Sequence, residues 1–238
     1  MIALPRLPMA MDDLFSDRAI RSKSLSRADV ELLATSPQTL IDCDLEEADL
    51  SGLDLSRWTF ERCNLRRADV SGARLEASEW RSCRGAFANF TASDLTESRF
   101  TACDFNNASF KRANLQASQF AQCKLTGADL FDARGLDISF EETLLINAKL
   151  SGHSFRKLTL TKLDFSQADL RKCDFRHTTF IDCSLREAML QGARFEGADL
   201  RGADIGGLRL NDAAPFRGAT ISREQASQLL TELNLIVR

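Results

Sequence analysis

Apolar residues recur at every fifth position along most of this chain. From Leu40 to Leu210, each position divisible by five holds Leu, Phe, Val, Ile or Trp, with Gly85 and Gly135 as the exceptions. Because 44% of the chain is apolar, chance would fill fewer than half of these positions. An α-helix repeats at 3.6 residues and a strand at 2.0, so neither keeps one face inward at a period of five. The pattern predicts a coil that turns a corner every five residues.

A second pattern precedes each of these central apolar residues. Ala, Cys, Ser or Thr occupies most positions two residues earlier, as at Ala48 and Cys63, and the residue in between is often Asp or Asn, as at Asp49 and Asn64. Each step should therefore point one large and one small side chain inward and the other three outward. We expect the Asp side chains to accept hydrogen bonds from the backbone at the corners, as Asp does in turns.

This A(D/N)LXX pattern resembles the pentapeptide-repeat family, in which four such steps form one square coil. The resemblance implies an all-β solenoid, a right-handed quadrilateral parallel β-helix, here with a short C-terminal helix. About nine coils at the usual strand spacing would give a rod about 40 Å long. A superperiod of 20 within the sequence supports the square coil, because two series of identical small residues should each stack on one wall. The first series is Cys43, Cys63, Cys83, Cys103 and Cys123, with Cys183 returning to it, and the second is Ala48, Ala68, Ala88, Ala108, Ala128, Ala148, Ala168 and Ala188.

The pattern divides the chain into three parts. Residues 1–37 are predicted to be an N-terminal extension with a short helix that begins at Ser26, ends before Pro37 and covers the first coil. Residues 38–213 form the β-helix, and residues 214–238 form a C-terminal helix and strand. Within the β-helix the inward pattern is least regular from Gly135 to Leu163, where small sites hold Ile138, His153, Leu158 and Leu163. We expect a locally widened or bent coil there.

The C-terminal part begins with a capping box from Ser222 to Gln225. An apolar stripe at helical spacing follows, and Leu235, Ile236 and Val237 make a short extended run. Two interpretations stay open: a hydrophobic lid on the last coil, or a dimer interface. The candidate dimerisation residues are Ala226, Leu229, Leu230, Leu233 and Ile236.

The same tail resembles a subgroup of the family. Residues 207–210, 218–221, 225–230 and 233–237 are similar to the C-terminus of topoisomerase-targeting pentapeptide proteins, which include Qnr-type quinolone-resistance proteins and immunity proteins for microcin and albicidin. The resemblance implies a two-fold, end-to-end homodimer. It also implies a rod similar to B-DNA in size and charge that binds gyrase or topoisomerase IV and relieves poisons of the cleaved complex.

Charge is distributed unevenly along the sequence. An acidic run without any base among its members provides the candidate partner-binding residues, which are Asp42, Asp44, Glu46, Glu47, Asp49 and Asp54. The segment from Lys149 to Arg176 is instead rich in Lys and Arg. A DNA-like decoy dimerised through its C-terminus should be acidic near its centre, whereas this arrangement puts the acidic runs at the distal tips. An ordinary solvated surface is the alternative interpretation of both segments.

Several classes of function are disfavoured. The net charge of -3 does not indicate a nucleic-acid binder, and no segment approaches the roughly 18 apolar residues of a membrane helix. No signal peptide is evident. Seven Cys is an odd number without paired spacings, which favours reduced thiols in the cytoplasm over a disulfide framework. The Cys ladder lacks zinc-ligand spacing, and His153 and His177 are too far apart to share a metal, so we expect no metal or cofactor. No catalytic motif occurs, and the chain is predicted not to be an enzyme.

The leading hypothesis is a non-enzymatic protein that binds a type II topoisomerase and protects it from a quinolone or peptide toxin. The alternative is a pentapeptide-repeat scaffold with an unrelated protein partner. No inserted loop of the kind used by some Qnr proteins interrupts the phase between Leu40 and Leu210.

Overall fold

The structure is a computed structural model that describes residues 19–207, 214–232 and 235–236. Short parallel strands and isolated bridges recur at the walls of successive coils. The strands are β1 (Ile20–Arg21), β2 (Thr39–Ile41), β3 (Thr59–Glu61), β4 (Glu79–Arg81), β5 (Arg99–Thr101), β6 (Gln119–Ala121), β7 (Ser139–Glu141), β8 (Thr159–Thr161), β9 (Thr179–Ile181), β10 (Cys183–Ser184) and β11 (Ala203–Asp204). The helices are α1 (Arg27–Leu33), a 3-10 turn (Ala214–Phe216) and α2 (Arg223–Glu232).

Strands of successive coils pair in parallel in the register that the superperiod predicts, except that β7 and β8 belong to separate sheets. Leu40 lies beside Phe60, and Phe60 beside Trp80. The predicted parallel β-helix of about nine coils is confirmed. Its interior is one continuous core of the large and small inward residues.

Polar side chains close the corners as the sequence predicts. The carboxylate of Asp49 accepts a hydrogen bond from the backbone N–H of Ser51 at 2.9 Å, and Asp54 does the same for Ser56 at 3.1 Å. The residue after each of these donors has a left-handed backbone, with φ +69° at Gly52 and +63° at Arg57. This local bond stabilises a turn that most side chains disfavour.

Aromatic rings stack along two walls of the interior. Phe60, Trp80, Phe100, Phe120 and Phe140 form one stack, with centroid spacings between 4.0 and 5.5 Å. A second stack of Phe155, Phe175, Phe195 and Phe216 follows the adjacent wall, with spacings between 4.8 and 5.0 Å. The two stacks meet where Phe140 and Phe155 lie 6.4 Å apart and tilted by 49°.

The N-terminal end differs from the predicted boundary at residue 38. β1 already pairs with β2, and Ser24 bridges to Asp44, so the solenoid includes residues before that boundary. Lys23 occupies a position at which the motif has a small residue, so the repeat is not recognisable from the sequence of this coil. The helix predicted at Ser26 is present as α1: Ser26 and Asp29 form its capping box, and its Val30 is buried in the core.

Candidate protein-binding surfaces

The acidic run near the N-terminus is matched by arginines on neighbouring coils. Asp42 receives two hydrogen bonds from Arg62, at 2.8 and 2.9 Å, which lower the pKa of that carboxyl. Four further candidate residues form ion pairs, which are Glu46–Arg66 at 3.6 Å, Glu47–Arg67 at 3.2 Å, Asp54–Arg74 at 3.3 Å and Asp49–Arg27 at 3.0 Å. Asp44 accepts a bond from the Asn64 amide at 2.9 Å. The run is therefore a set of exposed pairs rather than a uniformly negative patch.

Part of the basic segment from Lys149 to Arg176 is paired with carboxylates in the same way. Lys149 lies 3.0 Å from Asp129, and Lys162 lies 2.7 Å from Glu142 one coil earlier. Hydrogen bonds from Arg176 lower the pKa of Asp174 to about 2. Surface pairs of this kind contribute little to stability, but they reduce the local net charge that a partner would encounter.

Helix α2 covers the last coil through one polar side chain. The Gln225 amide is buried and donates 2.7 Å hydrogen bonds to the backbone carbonyls of Leu200 and Ala203. Its backbone N–H and side-chain oxygen form the predicted capping box with Ser222. Leu229 is buried in the core, so this candidate dimerisation residue also belongs to the lid.

Apolar surface remains beyond this lid. Leu230 is 39% exposed and Ile236 is 84% exposed, and Leu235 beside it is also exposed. Ala226 is partly buried, and Leu233 lies outside the described residues. The tail thus contains both elements weighed from the sequence: a lid, and apolar side chains that the described part of the chain leaves uncovered.

The cysteines are interior residues, and His153 is partly buried. All seven thiols are free and buried, and several donate to backbone carbonyls, as Cys63 does to Leu40 at 3.4 Å. Burial raises the pKa of the Cys173 thiol to about 12, so this thiol is not a nucleophile at neutral pH. Among the described residues, no group of three His, Cys, Asp or Glu side chains could hold a metal ion.

A cleft interrupts the solenoid between two successive coils. It has a volume of about 550 Å³ and lies between residues 131–140 and 151–158. Its apolar lining consists of Phe131, Leu136, Ile138, Phe140, Phe155 and Leu158. The widened coil expected between Gly135 and Leu163 is present here. The sequence did not predict a binding site in this cleft. Its only sign in the sequence is a glycine, Gly135, at a position where the motif has a large inward residue.

Gly135 explains why the coil opens. This residue replaces a large inward side chain, and its φ of +145° is inaccessible to most other residues. An added Cβ would lie 2.5 Å from the backbone nitrogen of Gln116, so the backbone has moved into the space of the side chain. Leu136, at the outward position that follows, is 73% exposed beside the opening.

The stacked, four-cornered architecture defines a class of proteins, the quadrilateral parallel β-solenoids, in which each five-residue step supplies one large and one small inward side chain. Family models for a pentapeptide repeat region and for pentapeptide repeats match residues 93–166, and residues 40–78 and 178–213, respectively. The chain belongs to the pentapeptide-repeat family.

Solved structures of the family align with this chain. HetL from the cyanobacterium Nostoc, a pentapeptide-repeat protein involved in the regulation of heterocyst differentiation, aligns with a TM-score of 0.63 and 22% identity, over 79% of this chain and 86% of HetL. Trypsin-treated QnrB1, a plasmid-mediated fluoroquinolone resistance protein, aligns with a TM-score of 0.46 and 20% identity, over 92% of this chain and 97% of its own. Among curated protein sequences no significant match is found. None of the described helices is long and apolar enough to cross a membrane.

Proposed function

We propose that this chain is a non-enzymatic binding protein that engages a type II topoisomerase, gyrase or topoisomerase IV, and protects it from a poison. The observation that carries the proposal is the C-terminal segment. Its sequence resembles that of topoisomerase-targeting pentapeptide proteins, and it leaves Leu230, Leu235 and Ile236 exposed after Gln225 and Leu229 have closed the last coil. A lid alone does not require this second apolar surface.

A second copy of the chain is the proposed cover for that surface. Two rods joined at their C-terminal ends would place both α2 helices at the centre and both N-terminal coils at the tips. Such an isologous contact needs only one self-complementary patch, and it would double the length of the surface offered to an enzyme. At about 40 Å for each rod, the dimer would be about 80 Å long.

The dimer is tested by substitution of an exposed residue of the tail. We expect the wild-type chain to be a dimer by light scattering and Leu230→Asp to be a monomer, because the change puts a charge into the proposed interface without altering the buried lid. Leu32→Asp is the matched control, because Leu32 is an exposed leucine on α1 at the opposite end. A monomeric wild type, or a dimeric Leu230→Asp, would contradict the interface.

The topoisomerase is tested with purified gyrase and topoisomerase IV. At micromolar concentrations, the wild-type chain should restore supercoiling in the presence of a quinolone or a peptide poison and lower the amount of cleaved complex. The Leu230→Asp variant, which keeps the rod but loses the dimer, should protect less well. If the chain relieves inhibition by none of the poisons and changes no activity of either enzyme, the proposal is wrong.

A specific observation favours a second candidate, a scaffold for an unrelated protein. The acidic candidates Asp42, Glu46, Glu47, Asp49 and Asp54 are ion-paired, so the N-terminal coils lack the excess negative charge expected of a substitute for DNA. Affinity purification of the tagged chain from cells distinguishes the two functions. Recovery of one stoichiometric partner without either topoisomerase would favour the scaffold.

A further inference from the structure

The cleft between residues 131–140 and 151–158 is more than a packing defect, because it exposes backbone hydrogen-bonding groups on both of its edges. One coil earlier, the N–H of Leu115 donates to the carbonyl of Arg134 at 2.6 Å, and the N–H of Arg134 donates to Ala113 at 2.8 Å. One coil later, Phe155 and Asp174 continue the same ladder at 2.8 Å. The corresponding bonds are missing between the two coils that flank the cleft.

The missing bonds are identified by the register of the neighbouring coils. Residues 131–159 are all described, and within them no backbone bond joins Ser154 to Ala133 or Gly135, Asp137 to Arg156, or Thr159 to Ile138. The bridge expected between Arg134 and Ser154 is absent as well, and β7 and β8 belong to separate sheets. The earlier edge therefore offers the N–H groups of Gly135 and Asp137, and the later edge offers both backbone groups of Ser154.

The opposite side of the same two coils is intact. Leu125 donates to Leu144 at 2.8 Å, Gly127 donates to Ile146 at 2.7 Å, and Leu130 donates to Lys149 at 2.9 Å. The cleft is thus open on one side of the solenoid only, and the backbone hydrogen bonds on the opposite side hold the two coils that form its walls. Fixed walls are what a binding site requires, since little ordering remains to be done when a ligand enters.

The interior of the cleft lacks one side chain of an otherwise continuous series. Phe155, Phe175 and Phe195 stack on successive coils. The position of the same wall one coil before Phe155 is Gly135, which has no side chain to lie over the Phe155 ring. Phe140 lines the cleft from the adjacent wall. A single apolar side chain supplied from outside would occupy the place that the motif normally fills from within.

A buried polar atom also lacks a partner beside the cleft. The Nδ1 of His153 is 2.9 Å from the carbonyl of Leu150, and its Nε2 is buried without any hydrogen bond. Burial lowers the pKa of His153, so the ring is neutral at pH 7, and the Nδ1–H···O bond leaves Nε2 as an acceptor. A buried unpaired acceptor of this kind is uncommon in folded proteins.

We propose that this cleft binds an extended peptide segment of a partner protein, by strand addition along the open edges and insertion of one apolar side chain over Phe155. The two open edges together present N–H donors, at Gly135, Asp137 and Ser154, and a carbonyl acceptor, at Ser154. A peptide backbone can pair with both kinds of group, because it offers donors and acceptors at regular spacing. A small apolar molecule would fill the lined space but leave those backbone groups without partners. The site is independent of the topoisomerase proposal, because it depends on neither the C-terminal tail nor the acidic coils.

The probe is a library of random heptapeptides displayed on phage and selected on the full chain, followed by a selected peptide made with a fluorescent label. We expect its affinity, measured by fluorescence anisotropy, to fall by about tenfold or more in Leu158→Glu, which puts a carboxylate into the apolar lining. Met189→Glu is the matched control, because Met189 is exposed to a similar degree as Leu158 and lies outside the cleft, and it should bind as the wild type does.

Amide hydrogen exchange of the wild-type chain supplies a readout that needs no variant. Without peptide, the amides of Gly135, Asp137, Ser154 and Thr159 should exchange much faster than those of Leu115 and Phe155, and with peptide they should slow by about tenfold or more. Three results would overturn the proposal: a selection that returns no related peptides, binding unaffected by Leu158→Glu, or unchanged exchange at those four amides. Indole that binds in the cleft and blocks the peptide while protecting no amide would likewise overturn it in favour of a small-molecule pocket.

Discussion

Replacement of Trp80 by alanine is expected to lower the free energy of unfolding by about 3–5 kcal/mol. Trp80 is buried, and its ring stacks between Phe60 at 4.0 Å and Phe100 at 5.5 Å. Its indole N–H donates to the Ser78 hydroxyl at 2.9 Å. The substitution leaves a cavity in the middle of the aromatic stack. The coils on either side are paired through their backbones and cannot close this cavity, so little of the lost free energy of unfolding should be recovered by relaxation.

Urea unfolding followed by circular dichroism measures this loss. Phe87→Ala is the control, because Phe87 is 57% exposed on the outside of the solenoid and should change stability by less than about 0.5 kcal/mol. If Trp80→Ala and Phe87→Ala cost the same, the stacked interior would not be the main source of stability.

The interior could be predicted because every wall repeats at an interval that the sequence shows directly. A small residue stacked on an identical residue needs the same volume in each coil, which is why Cys43, Cys63 and Cys83 recur once per coil and are all buried. The two glycines at large inward positions broke this pattern in the same way, yet they have different outcomes. At Gly85 the ring of Phe105 fills the space, whereas at Gly135 the backbone itself moved and a cleft opened.

The surface was harder to predict, because neighbours on it lie one coil apart. The acidic run has no base among its members in the sequence, and yet Asp42 lies against Arg62 and Asp54 against Arg74. Both pairs are separated by one full coil, so the predicted register already contained them. The repeat register does not predict which side chains of α2 contact the last coil, because that depends on how the helix docks. Gln225 and Leu229 face the coil, and Leu230 does not.

Gly85 and Phe105 should show a strong energetic coupling, which is the second large effect we expect. A Cβ at position 85 would lie 2.1 Å from Cε1 of Phe105, so Gly85→Leu overpacks the coil and should cost about 1–3 kcal/mol. Phe105→Leu removes ring atoms and leaves a void over the glycine, at a cost of roughly 1–3 kcal/mol. Gly85 has no positive φ, so its backbone accepts leucine once the ring is gone.

The double variant with Leu at positions 85 and 105 restores the large inward residue of the motif on both coils. It should therefore be closer in stability to the wild type than the sum of the single changes, with a coupling of about 1–3 kcal/mol measured by urea unfolding. Gly85→Leu combined with Phe165→Leu is the control, because Phe165 lies on the same wall four coils away, about 19 Å along the rod. That pair should be additive to within about 0.5 kcal/mol. Additivity of the neighbouring pair as well would show that the ring of Phe105 does not substitute for the missing side chain of Gly85.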